Sequence, residues 1–441
     1  MVPVIGTCSS EGAQSTGLGA LADIMASDME EHSTVRELSI PFGDRLSQNE
    51  TATLSSALYP LSVRIPPGVP LSDAQFALQR LEQSYLQWKA RHWPEPVYGS
   101  AEGYVVYLDD NTHACAEFTV EAIEHQKDVD AARGFATVSI PKHREGLIPC
   151  IYKAFALGSL YRLAPYMNPK WKDASASYLA WQLSARDDFT SGTLNLQAQP
   201  WHGWFGHSFE TGNESAHLWA LIEKRKKAFL GDYFWDMWDR ARFVSINFQH
   251  RNKSFDLWEI IEAELKASSQ TLPKFLTELA LDRATIDRDR HRVGFSTEHD
   301  ILMPTTELFV QHFLKSGELP TKINDVDPPL EALGSAYFSV NIQQEHRGRA
   351  IGVWLKGEHG VNWSLSAARR DATDYEISRI YSPERKNIPI YLLIETTPQT
   401  QSLLIAVTNL SWREPNVAYP DSSTRSFSLT VDLAESKTPN P

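Results

Sequence analysis

The sequence predicts an α+β protein: a region of short strands and helices, then a helical region, then an all-β sandwich. Three observations carry this expectation. Strand-like runs recur between residues 59 and 140, helical spacing is sustained from 147 to 281, and strict alternation of apolar and polar residues returns after 331. With 441 residues the chain exceeds one average domain, so several units are expected, each large enough to bury a core of its own.

The elements follow in order. Residues 1–58 are polar and mixed and read as a partly ordered lead-in. "YPLSVRIPPG" reads as a strand closed by prolines, which have no N–H to give a ladder. Ser72 and Gln75 have the spacing of a capping box, and Ala74, Leu78, Leu81, Tyr85 and Trp88 continue as one apolar stripe of a helix ending near Trp93. "GYVVYLDD", "CAEFTVEAI" and "GFATVSI" supply three β-rich runs, completing an α+β subdomain over 59–145.

A mainly helical subdomain is expected over 146–330. Leu147, Ile151 and Phe155 fall four apart, "HLWALIEKRKKAFLGDYFWDMWDRA" reads as one long amphipathic helix, and "SFDLWEIIEAEL" opens on a Ser cap. "LPKFLTELAL" adds a short helix, and residues 282–330, charged and proline-containing, read as a connection. In 331–441, three runs repeat an apolar face every second residue: Phe338, Val340 and Ile342; Val361, Trp363 and Leu365; Phe427, Leu429, Val431 and Leu433. Two packed sheets follow from that pattern.

Composition excludes some functions. A formal net charge of −13 opposes a phosphate-backbone partner, so no nucleic acid is expected. No stretch approaches the roughly 18–20 apolar residues of a membrane helix. The first residues lack the basic and apolar segments of a signal peptide, which leaves a cytoplasmic protein, or a secreted or periplasmic one whose signal has been removed. Three cysteines, Cys8, Cys115 and Cys150, allow a Cys115–Cys150 bridge; two reduced, buried thiols are the plainer expectation. Phosphate-binding loops, dinucleotide fingerprints and the serine nucleophile elbow are absent from the sequence.

The segment "IYKAFALGSLYRLAPYMNPKWKDASASYLAWQL" gives a buried helix, then a Trp, an acid and small residues. Together with the order of elements over about residues 59–435, it resembles the gluzincin zinc metallopeptidases, in particular secreted bacterial ones in which a thermolysin-like region precedes a β domain. In that family the central helix carries H-E-x-x-H, two zinc-binding histidines and a general base, and a later Glu completes the ligand set. The matching positions here are Tyr152, Lys153, Ala156 and Asp173. Ala156 has no lone pair, and a lysine ammonium repels a dication.

The resemblance therefore implies a zincin-like frame without its chemistry. The expectation is a non-catalytic, metallopeptidase-like protein with no metal and no cofactor, which holds a protein or peptide in a cleft at Tyr152, Lys153 and Phe155 or acts as a scaffold for the β-sandwich. Lys153 and Asp173 are expected to pair where the metal would be.

The alternative is a hydrolase with its chemistry relocated to "WHGWFGHSFETGNESAH", which offers His202, His207, His217, Glu210 and Glu214 in the same cleft. Those spacings match no established ligand pattern, and surface histidines are the simpler expectation. Trp201 and Trp204, in the same glycine-rich stretch, are expected as exposed aromatics able to contact peptide or carbohydrate. Asp109, Asp110, His113, Glu117 and His125 are accounted for by a turn between strands. "EKRKKAF" reads as the solvated face of its helix, with Glu223 available to Lys226 and Lys227.

Overall fold

Alternating burial along Leu61–Ile65 (β2) and Tyr104–Asp109 (β3) puts Leu61, Val63, Ile65, Tyr104, Val106 and Leu108 on one covered face. The computed structural model that shows this describes residues 52–96, 103–109, 117–126, 131–141, 147–184, 196–205, 213–226, 232–247, 256–284, 308–371, 378–381, 385–386, 389–411 and 424–434. Cys8, Asp110, His113, Cys115, His207, Glu210 and most of the lead-in lie outside the described residues.

With Ala52–Ser55 (β1), Glu117–Gln126 (β4) and Ala131–Pro141 (β5), β2 and β3 form a five-stranded sheet of order β1-β2-β3-β5-β4. The central pairs β2–β3 and β3–β5 are parallel, and both edge strands run antiparallel. β1 lies inside the expected lead-in, because Leu54 is an apolar plug in a polar stretch and is buried in the core. The parallel β2–β3 step needs a crossover, which helix Leu71–Ala90 (α1) supplies. α1 starts one residue before the expected cap: Pro70 is the N-cap, no side-chain cap bond forms, and Ser72 sits inside the first turn.

The helices Leu147–Leu163 (α2) and Pro169–Ser184 (α3) come next, α2 lying on β5 and α1 and packing against α3. Phe155 meets Tyr85, Trp88 and Tyr104 edge-on, with ring centroids 6.3, 5.1 and 5.7 Å away. The Tyr104 hydroxyl donates to the Ala154 carbonyl at 2.6 Å, which fastens α2 to the sheet.

The expected single long helix divides into Asn213–Lys226 (α4) and Asp232–Asn247 (α5). The first-turn amide of Phe234 has no partner within its own helix and donates to the Glu223 carboxylate at 3.2 Å, tying the start of α5 to α4. Leu257–Ala267 (α6) begins on Asp256, which accepts from Trp258 N, so the cap is two residues beyond the expected serine. Leu272–Ala284 (α7) completes the helical part.

The remaining strands are His312–Lys315 (β6), Thr321–Ile323 (β7), Ser335–Asn341 (β8), Ala350–Gly357 (β9), Asn362–Asp371 (β10), Ser378–Tyr381 (β11), Arg385–Lys386 (β12), Ile390–Glu395 (β13), Thr400–Asn409 (β14) and Phe427–Leu433 (β15). One sheet runs β11-β10-β14-β8-β6 with β12 on β10, and the other runs β13-β9-β15-β7. All pairs are antiparallel except β6–β8. Phe338, Leu365, Ile405 and Val407 from the first sheet share one core with Val353, Leu355, Leu392 and Val431 from the second. β6 and β7 fall in the stretch read as a connection. They belong to the β unit because Leu314 enters its core and the His312 ring stacks on Phe338.

The two regions meet along α7. Leu281 and Ala284 pack with Tyr337, Ala368 and Ala406, and the Tyr337 hydroxyl donates to the Ala280 carbonyl at 2.7 Å. Residues 201–203 and 331–334 pass backbone to backbone, with Glu331 N donating to Trp201 O at 3.0 Å. A Cβ at Gly203 would run into the Ala332 carbonyl oxygen, and one at Gly334 into that of Trp201, so both positions require glycine for close approach. No helix among the described residues is long and apolar enough to cross a membrane.

Candidate functional site

The α2–α3 pair brings together the residues that the sequence singles out. Lys153 Nζ lies 2.6 Å from Asp173 Oδ1, with the lysine side chain 2% exposed and the aspartate 24%. α2 is apolar on all sides, which marks a helix buried all round; its one charged residue before the last turn must therefore find its counter-charge inside the protein. The carboxylate keeps contact with solvent while the ammonium does not. Removing one partner of such a pair strands the other, at a cost of about 3–5 kcal/mol in comparable buried cases.

Tyr152, adjacent on α2, is buried, and its electrostatic influence reaches Arg91, whose pKa burial lowers and Tyr152 raises. Ala156 is fully buried, and Phe155 is buried within the aromatic group of α1 and β3, so it lines no open surface in this structure. The donors do not fit a zinc ion. Ala156 supplies no lone pair, and the ammonium of Lys153 occupies the one carboxylate, Asp173, that could ligate. Among the described residues no group of three or more His, Cys, Asp or Glu side chains is arranged to hold a metal.

Lys172, next to Asp173, turns the other way. Its Nζ donates to the Pro165 carbonyl at 2.6 Å and stands 4.4 Å from the Tyr161 ring centroid. Burial pushes its pKa down to about 7. The residue before it, Trp171, donates its indole N–H to Asp256 at 2.7 Å, joining α3 to the cap of α6.

The stretch 201–205 lies at the junction with the β unit, where it serves structure. His202 Nδ1 is 3.0 Å from Glu331 Oε1, and Trp201 Nε1 donates to His202 Nε2 at 3.1 Å. An indole nitrogen only donates, so Nε2 accepts this bond, and Nδ1 lies at ion-pair distance from the Glu331 carboxylate. The imidazole is thereby lodged between Trp201 and Glu331 at the junction. Trp204 is buried with the Arg283 guanidinium 5.1 Å from its ring, and Trp201 packs on Phe309 and the β core, so neither is the exposed aromatic expected. His217 is likewise buried, beside Trp181, and is not a surface histidine. His207 and Glu210 lie outside the described residues, and only the backbone of Glu214 is described.

In the basic run on α4, the described side chains are paired within the protein, while Lys227 lies outside the described residues. Arg225 pairs with Glu278 and Asp282 of α7, Lys226 pairs with Glu264 of α6 at 2.7 Å, and buried Glu223 accepts from the Tyr178 hydroxyl. The sequence reads this run as a solvated face with Glu223 serving Lys226 and Lys227, because the actual partners are distant in sequence. Cys150 is disulfide-bonded, against the expectation of a reduced thiol, and its partner lies outside the described residues. A separate cavity of about 310 Å³ between the end of β1 and α1 is lined by Ser56, Phe76, Gln79 and Glu82, among others, and holds none of the candidate site residues expected from the sequence.

Comparison with known proteins identifies no family. No family model matches the chain, and no curated protein matches it. Among solved structures, a copper-binding surface-associated protein of Methylomicrobium album BG8, CorA, is similar at 10% identity and TM-score 0.20, covering 28% of this chain and 98% of its own. The mitogen of Yersinia pseudotuberculosis is similar at 13% identity and TM-score 0.19, covering 28% of this chain and 93% of its own.

Proposed function

We propose that the chain is a non-catalytic, metallopeptidase-like protein that holds an extended segment of another protein. The observation that carries this reading is the Lys153–Asp173 pair: an ammonium and a carboxylate neutralise each other at the place where a zincin-like frame would put a metal dication. Two further features support it. Ala156 removes a required ligand, and His202 is held between Trp201 and Glu331, which argues against relocated hydrolysis. β4 ends its sheet among the described strands, and an edge strand offers backbone N–H and C=O groups to an extended partner.

Unfolded casein is the probe. The full chain, purified without chelator, is expected to carry substoichiometric zinc by elemental analysis, unchanged in Asp173→Ala, and to bind casein without cutting it. Hydrogen exchange should slow across Glu117–Gln126 on binding. One tightly held zinc that disappears in Asp173→Ala, or chelator-sensitive cleavage, overturns the loss of chemistry. Casein that leaves β4 exchange unchanged overturns the holding role.

A further inference from the structure

The outer face of the β13-β9-β15-β7 sheet carries an aromatic pair in a position that alternation reserves for polar residues. Val353 and Leu355 point into the core, so Trp354 between them points out, and it is 38% exposed. Tyr391 lies directly opposite on β13, 42% exposed, and the two ring centroids are 4.7 Å apart with 37° between planes. Leu393, on the same face, is 44% exposed and pairs with Gly352. Of the seven large apolar side chains exposed in the described residues, three are here, so the face is a patch and not a scatter of single residues.

Gly352 fixes how the rings lie. A Cβ at that position would stand 2.8 Å from the Trp354 ring and 3.2 Å from that of Tyr391. Both rings therefore lean toward the glycine, and at 4.7 Å they overlap partly, forming one exposed aromatic step on the sheet. On the neighbouring strand, Thr430 pairs with Trp354 and Asp432 with Gly352, which sets a hydroxyl and a carboxylate beside the rings.

We infer that this face is a carbohydrate-binding platform, taking the apolar face of one or two pyranose rings on Trp354 and Tyr391 while Thr430 and Asp432 bond the sugar hydroxyls. The inference is independent of the α2–α3 site. Size and charge select the ligand. The three side chains expose on the order of 250 Å², taking aromatic side chains at about 150–250 Å² each. A stable protein interface needs about 800 Å² per partner. A nucleobase would also stack, but this face sets Asp432 and Glu395 against Lys322 and Lys356 and so has no excess of positive charge to hold a phosphate. A neutral sugar matches both the area and the charge.

Affinity electrophoresis of the full chain through native gels containing xylan, galactomannan or mixed-linkage β-glucan, with sedimentation on cellulose and chitin, tests this. Retention by at least one of these polysaccharides is expected. Trp354→Ala and Tyr391→Ala, with unchanged circular dichroism, should each weaken it about tenfold, the scale of one lost stacking contact. Gly352→Ala should weaken it as well, since both rings remain but are displaced; if Trp354→Ala fails to fold, Tyr391→Ala carries the test. No retention by any of the five polysaccharides, or retention equal in the aromatic variants, overturns the proposal. So does a concentration-dependent dimer that Trp354→Ala and Tyr391→Ala convert to monomer in sedimentation velocity, which would make the face a protein interface.

Discussion

Lys172 shows how far one residue's behaviour depends on where its helix turns it. Its neighbour Asp173 touches solvent, yet Lys172 is buried against Tyr161 and the Pro165 carbonyl, and burial pushes its pKa down to about 7. An unfolded lysine titrates near about 10.4. Between those two values the unfolded chain holds more protons than the folded one, so stability rises with pH across that window. Below pH about 7 both states are charged, and the full cost of burying the ammonium applies. The urea midpoint is expected to climb between pH about 7 and 9.5, and Lys172→Met should be more stable at neutral pH with a flatter profile. Buried tyrosines such as Tyr104 and Tyr178, whose pKa values burial raises, act in the opposite sense only above pH about 10. A climb that persists undiminished in Lys172→Met would assign the slope to other groups.

At the scale of elements, Asp256 carries two tasks through one oxygen: it caps α6 by accepting from Trp258 N at 3.0 Å and it accepts the Trp171 indole N–H at 2.7 Å. Asp256→Ala removes both and leaves a buried indole donor unpaired, so a loss of about 2–3 kcal/mol is expected in urea unfolding. Asp256→Asn, which keeps an acceptor, should lose much less. The capping aspartate was visible in "SFDLWEIIEAEL", where the serine was the more obvious candidate; its tie to Trp171 was not. That contrast runs through the chain. β2, β3, β8, β10 and β15 were legible because their apolar residues alternate, and the facing of Lys153 and Asp173 was expected from helical phase and the register of the zincin resemblance. The partners of Glu223, Arg225 and His202 were not, since Glu331 reaches residue 203 across 128 positions and such a pairing leaves no local period. The Trp354–Tyr391 pair was hidden for a different reason: in "IGVWL" an outward tryptophan reads as one more apolar residue of a buried strand.

For the whole molecule the question is whether the helical and β regions unfold together. Arg283, near the end of α7, donates to the carbonyls of Leu196, Gln199, Pro200 and His202 at 2.5, 3.4, 3.3 and 3.2 Å, and burial lowers its pKa to about 10, so it stays charged at neutral pH. It thereby holds the stretch that Glu331 and Ser335 grip from the β side. Calorimetry of the wild-type chain is expected to show one cooperative transition, and Arg283→Met, which frees four carbonyls, should split it into two. Two transitions already present in the wild type would mean that the junction does not couple the regions. Every carbonyl that Arg283 binds precedes it in the chain, whereas Glu331, Gly334 and Tyr337 follow it by about fifty residues. During synthesis, at about 5–20 residues per second, the arginine can close on 196–202 seconds before the β region is made. The helical half thus supplies a finished mould, and the later strands assemble against it.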